Sequence, residues 1–146
     1  MPNWCENILM VEGPEAEIAA FKEKAAASPA EEDTTSGDAE VMKFENFIPV
    51  PAEVEEQEYG NGQDDWEIEH WGCKWGANNS AITTASENRV HYVFQTPWTP
   101  PLAFMEQVSR DWPSLRLMLG YVETGCGFLG IAKAAAGVLE DQCIDF

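Results

Sequence analysis

The chain has 146 residues, with 8 basic and 26 acidic side chains and a formal net charge of −18. A content of 45% hydrophobic and 11% aromatic residues supplies a core, which excludes a disordered acidic tail, and the length fits one domain spanning residues 1–146. Phosphates would repel such a chain, so neither direct nucleic-acid binding nor attachment to an anionic membrane is expected. No apolar run reaches the roughly 18 residues of a membrane span. The start, MPNWCENILMVEG, has no basic n-region and no apolar h-region, so export is not expected.

From Trp4 to Val11 the residues alternate, with Cys5, Asn7, Leu9 and Val11 on one face and Trp4, Glu6, Ile8 and Met10 on the other. Both faces are largely apolar, which predicts a central strand. Pro14 suits the first position of a helix, with Glu15 and Glu17 at its positive end and Ile18, Phe21 and Ala25 on its apolar face. The predicted helix runs to about Ala27 and is ended by Ser28-Pro29. Residues 28–69 read as an acidic insertion: a small, polar, loop-like stretch to Glu40, then Met42–Val50 as a short strand or anchored loop, then acids from Pro51 to Glu69. HWGCKWGANN reads as an irregular platform. Ser80–Ala85 and Arg89–Thr96 are predicted strands about an Glu87-Asn88 turn, the second with Val90, Tyr92 and Phe94 on one face and His91 on the other. Thr99 is the expected cap of a second helix, with Pro100 and Pro101 in its first turn and Leu102, Met105, Val108 and Trp112 as its stripe. Leu115–Val122 and Phe128–Ala135 are further strands, and the tail after them has no assigned element. The underlying order, βαββαβ with one extra C-terminal hairpin strand, predicts an α+β, ferredoxin-like split βαβ with two helices on one face of an antiparallel sheet.

The charge is concentrated. Residues 31–69 carry 14 acids against Lys43 alone, a net of −13, whereas residues 70–146 carry a net of −2. In the second acidic stretch, Glu53, Glu55, Glu56, Glu58, Asp64, Asp65, Glu67 and Glu69 alternate with apolar residues, so this stretch can dock on a core and turn its carboxylates outward. B-form DNA carries one charge per roughly 1.7 Å of axis, and about a dozen carboxylates on one face would match a short duplex. Solvation alone is the competing explanation of the same acids.

Four motifs resemble the YubB-type ferredoxin-like proteins of phages, plasmids and mobile elements. They are Asn3, Trp4, Cys5, Asn7 and Leu9 near the start; Trp71, Gly72, Lys74 and Trp75 in the middle; Phe94, Thr96, Trp98, Pro100 and Pro101 before the second helix; and Tyr121, Glu123 and Gly125 late. Position 73 is Cys where that family more often has Thr. The resemblance covers Met1 to about Gly130 apart from residues 27–65. It implies the ferredoxin-like fold and a mobile-element origin, hence the cytoplasm of a bacterial host, and it implies no activity.

Cys5, Cys73 and Cys126 with His70 and His91 are the only nucleophile and base candidates, and no nucleophile elbow, P-loop or Rossmann fingerprint occurs. No catalytic residue, cofactor or metal site is assigned: His70-x-x-Cys73 lacks a second ligand pair. A ferredoxin-like sheet can stack single-stranded nucleic acid on aromatics such as Tyr92, Phe94, Trp71, Trp75 and Trp98, with Lys74, Arg89 and Arg116 toward phosphates. That reading, and a small cysteine enzyme, are the alternatives. The leading expectation is a non-enzymatic inhibitor that mimics DNA charge and blocks the basic DNA channel of a host CRISPR effector or restriction nuclease. The second acidic stretch is the expected interface, with Tyr59 and Trp66 as anchors. A homodimer through an open sheet face or edge stays open.

Overall fold

The structure, a computed structural model, describes residues 2–27, 40–55 and 62–146. Strand β1 (Trp4–Glu12) is followed by helix α1 (Glu15–Ala26), a 3-10 turn (Phe44–Asn46), and helices α2 (Ala52–Glu55) and α3 (Gly62–Trp71). Strands β2 (Asn78–Ser86) and β3 (Arg89–Pro97), helix α4 (Leu102–Asp111), and strands β4 (Arg116–Glu123), β5 (Phe128–Ala135) and β6 (Val138–Asp145) complete the chain. All six strands join one antiparallel sheet in the order β2-β3-β1-β4-β5-β6. Its first four members are the split βαβ predicted from the element order. β5 and β6 extend it beyond β4.

The sheet buries one face only. Cys5, Leu9 and Val11 of β1, Val90, Tyr92 and Phe94 of β3, and Leu117, Leu119 and Tyr121 of β4 pack beneath Ile18 and Phe21 of α1 and Phe104, Met105 and Val108 of α4. The opposite face of β1 is open, with Ile8 57% exposed. β1 is central in the sheet, as its two apolar faces predict, and the described helices lie on one side of it.

Residues 40–55 and 62–71 pack on that core. Met42, Phe44 and Trp71 are buried, and Phe44 stacks on Phe104 with ring centroids 4.1 Å apart. Of the two readings of Met42–Val50, the anchored loop holds: it contains the 3-10 turn and is pinned by Asn46 Nδ2, which donates to the Ala27 carbonyl at 2.8 Å. The Pro51–Glu69 stretch is partly helical, and the signal for α3 is the i,i+4 spacing of Trp66 with His70 and Glu67 with Trp71. Two further details differ. Pro101, not Thr99, occupies the N-cap of α4, and Thr99 Oγ1 donates instead to the Gly72 carbonyl at 2.7 Å. The unassigned tail is β6, an edge strand whose mostly exposed residues give no buried alternation to read. Among the described residues, no helix is long and apolar enough to cross a membrane.

Candidate functional site

The four sequence motifs, scattered over more than a hundred residues, meet at one end of the sheet. Asn7 is buried on β1, and its Nδ2 donates to the Cys5 carbonyl at 3.1 Å and to Thr96 Oγ1 on β3 at 2.9 Å. Thr96 Oγ1 in turn donates to the Thr99 carbonyl at 2.7 Å, and Thr99 Oγ1 reaches Gly72. A buried Asn leaves few of its polar atoms to water, so it is tolerated where such partners are fixed. This relay ties β1 and β3 to the 72–76 segment.

That segment needs its glycine. Gly72 has φ +91°, and a Cβ there would stand 2.9 Å from the Leu102 backbone nitrogen. Only glycine meets both conditions. The turn leaves Trp75 at φ 64°, and across from it Trp98 lies at φ 63°. A bulky residue in the left-handed region costs on the order of 1 kcal/mol or more. Neighbouring bonds hold both: Trp75 N–H donates to Glu67 Oε1 at 3.0 Å, and Trp98 N–H to the Asn3 carbonyl at 2.8 Å. The two indoles lie 6.1 Å apart and are 50% and 38% exposed, with Lys74 Nζ 5.3 Å from the Trp98 ring and 3.5 Å from Asp64 Oδ2. Large exposed aromatics beside a cation are the residue types that anchor interfaces.

The late motif closes the same end. Glu123 is buried and caps the following turn, accepting from the Gly125 and Cys126 N–H groups. The Cys126 thiol, bonded to the same carboxylate, and the two N–H donors hold the Glu123 carboxyl below the usual range. The Glu123 contact raises the Cys126 thiol. Asn3 Nδ2 lies 3.7 Å from Cys126 Sγ. Burial pushes the Cys5 thiol up to about 12 and raises Cys73 as well. These three thiols are protonated near neutral pH, the opposite of the activated thiolate a nucleophile requires.

The acidic stretch divides. Glu53, Asp65 and Glu69 are exposed, and among the described residues none of them forms an ion pair. Asp64 is half-buried against Lys74. Glu67 corrects the expectation: at 3% exposure it faces inward, accepts from the Trp75 N–H and from Gln63, and presents no charge to a partner. Burial raises its carboxyl above the ordinary value. Trp66 is half-buried, with its ring stacked on His70 at 4.3 Å and edge-on to Trp71, so it packs on its own domain. Glu56, Glu58 and Tyr59 lie outside the described residues, as does the Glu55 side chain at the end of α2. Of the aromatics named for base stacking, Tyr92, Phe94 and Trp71 are buried on the helix side, whereas Trp75 and Trp98 are exposed.

Sheet order, one helical layer and the open face define a ferredoxin-like α+β domain. A protein api92 from Yersinia pseudotuberculosis, known from its crystal structure, shares this fold: the TM-score is 0.74 at 10% identity, with 100% of this chain and 98% of that one covered. The family model described as the ferredoxin-like domain in Api92-like protein matches residues 70–145, and the chain belongs to that family. Comparison with curated proteins gave no match.

Proposed function

We propose that the chain is a protein-docking module, of the mobile-element origin its YubB-like motifs imply, that occupies the basic DNA channel of a host defence protein. The observation carrying this reading is the outer face of α3. Asp65 and Glu69 stand one turn apart, both exposed, with Glu53 also exposed on α2 and no basic partner for any of them among the described residues. Lys74, the cation of the adjoining turn, is already held by Asp64. Exposed carboxylates with no basic partner among the described residues can replace phosphates opposite Lys and Arg. Trp75 and Trp98 supply apolar anchors, and their cost in backbone conformation is offset when a partner covers them.

The test is DNA loading onto a panel of purified CRISPR effectors and restriction nucleases. The expected result is competition with DNA for at least one member, weakening steeply between 50 and 500 mM salt, on the order of tenfold or more. A triple variant, Glu53→Lys, Asp65→Lys and Glu69→Lys, should abolish competition while its circular dichroism stays that of the parent. Undiminished competition by this variant removes charge mimicry through α2 and α3.

A further inference from the structure

We infer that the open face of the sheet is where a second copy of this chain docks, face to face about a two-fold axis running along the strands between β1 and β4. Strand register places the residues. On the open side Ile8 of β1 pairs with Gly120 of β4, Met10 with Met118, and Glu12 with Arg116, while Val93 of β3 flanks Ile8 and Ile131 of β5 flanks Gly120. A two-fold axis between these two strands exchanges β1 with β4 and β3 with β5. It sets Ile8 over the partner copy's position 120, Met10 over position 118, Val93 over position 131 and Glu12 over position 116.

Each of those juxtapositions is complementary. Ile8 is a knob, 57% exposed, and Gly120 is a hole: nothing lies within 4 Å of where its Cβ would be. Met118 and Ile131 are exposed apolar side chains that gain apolar partners. Glu12 meets a guanidinium and Arg116 a carboxylate, the same pairing they make within the chain. An isologous interface demands this self-complementarity.

Charge and size agree. On a molecule of net −18, the open face carries three acids, Glu6, Glu12 and Glu140, and three bases, Arg89, Arg116 and Lys133. It is neutral, so a second acidic molecule is not repelled there at contact, and beyond a Debye length of about 8 Å the remaining charge is screened. Six strands spaced at about 4.8 Å, with six residue steps of about 3.4 Å, give a face of roughly 500 Å² in projection. Side chains standing on the pleat raise the accessible area toward the ~800 Å² per partner of a standard interface. Aligned sheets about 10 Å apart keep their strands within about 30°, which suits an axis along the strands.

The test is the mass of the full chain in solution by sedimentation equilibrium from 1 to 100 µM. The expected result is twice the 16.2 kDa chain mass at the upper end, with association unchanged or tighter from 50 to 500 mM salt. Ile8→Glu puts a charge over the hole, and Gly120→Leu fills it; each should raise the dimer dissociation constant at least tenfold. Both side chains project into open space, and circular dichroism confirms that each variant is folded. A monomeric parent chain at 100 µM overturns the inference, as does a dimer that both variants leave intact or that high salt dissolves.

Discussion

Thr96→Val tests whether the polar relay beneath the tryptophan pair contributes to stability. Thr96 is fully buried, and Val replaces it at nearly the same volume, so the perturbation is the loss of one hydroxyl. Two hydrogen bonds go with it, the 2.9 Å bond from Asn7 Nδ2 and the 2.7 Å bond to the Thr99 carbonyl. The Thr99 carbonyl belongs to an exposed residue, so water can replace its donor. Asn7 Nδ2 retains the Cys5 carbonyl at 3.1 Å and the Phe94 carbonyl at 3.5 Å but loses its shortest bond in a buried setting. One buried polar group left short of a partner costs about 1–2 kcal/mol. At about 3 °C per kcal/mol for a domain of this size, the melting temperature should fall by about 3–6 °C. Thr96→Ser keeps the hydroxyl and should retain most of the relay. Urea titration of the parent, both single variants, Asn7→Ala and the Asn7→Ala/Thr96→Val double variant gives the coupling, expected at about 1 kcal/mol. A Thr96→Val chain within 0.5 kcal/mol of the parent, or additive losses in the double variant, would refute a working relay.

Four shorter predictions rest on single residues or their exposure. Gly130→Ala would set a Cβ against the Tyr121 phenol and the Gln142 carbonyl, displacing the hydroxyl from Asp141; a loss of about 1–3 kcal/mol is expected in urea titration. Glu67→Gln keeps an acceptor for the Trp75 N–H and removes a buried charge. Because burial raises the Glu67 carboxyl, ionising it opposes folding as pH climbs from the ordinary carboxylate value through the raised one, so the variant's stability relative to the parent should improve across that window. Glu123 has the opposite sign: its lowered carboxyl adds stability above the ordinary range, lost as pH falls through the lowered value, and Glu123→Gln should blunt that acid loss. Of the four thiols, only Cys126 and Cys143 are exposed, so a thiol reagent should titrate two groups in the native chain and four in urea.

The parts of the fold legible in the sequence are those where one face is buried. Val90, Tyr92 and Phe94 alternate on β3, and Leu115, Leu117, Leu119 and Tyr121 before and along β4, because each successive pair points into the helical layer. β6 has no such layer above it and leaves no periodic trace. Alternation also does not say which side the helices cover. Tyr92 and Phe94 therefore fit an open aromatic face on sequence grounds, whereas in the structure they are buried and Ile8, on the other side of the sheet, is open. The candidate site was visible as four separate motifs. Their convergence depends on the Asn7–Thr96 pairing across β1 and β3, and on the turn that brings Gly72 against Thr99, both of them contacts made in space. By residue type alone Glu67 reads like its acidic neighbours. The helical spacing that turns it inward with Trp71 is the property that separates it from Asp65 and Glu69.

Charge separates the two surfaces proposed here more sharply than composition does. A contact made through Asp65 and Glu69 gains its energy from opposite charges on the partner, and added salt must weaken it. A contact made through the open sheet face joins a neutral, largely apolar patch between two chains of net −18, so salt relieves the long-range repulsion and leaves the contact itself untouched. The two responses have opposite signs in the same titration. A complex with a basic nuclease that falls apart with salt while the chain's own dimer persists assigns the acids to the partner and the sheet to self-association. If both interactions weaken together, the inferred sheet contact is overturned, because an apolar knob and hole joining two neutral faces does not lose affinity as salt is added.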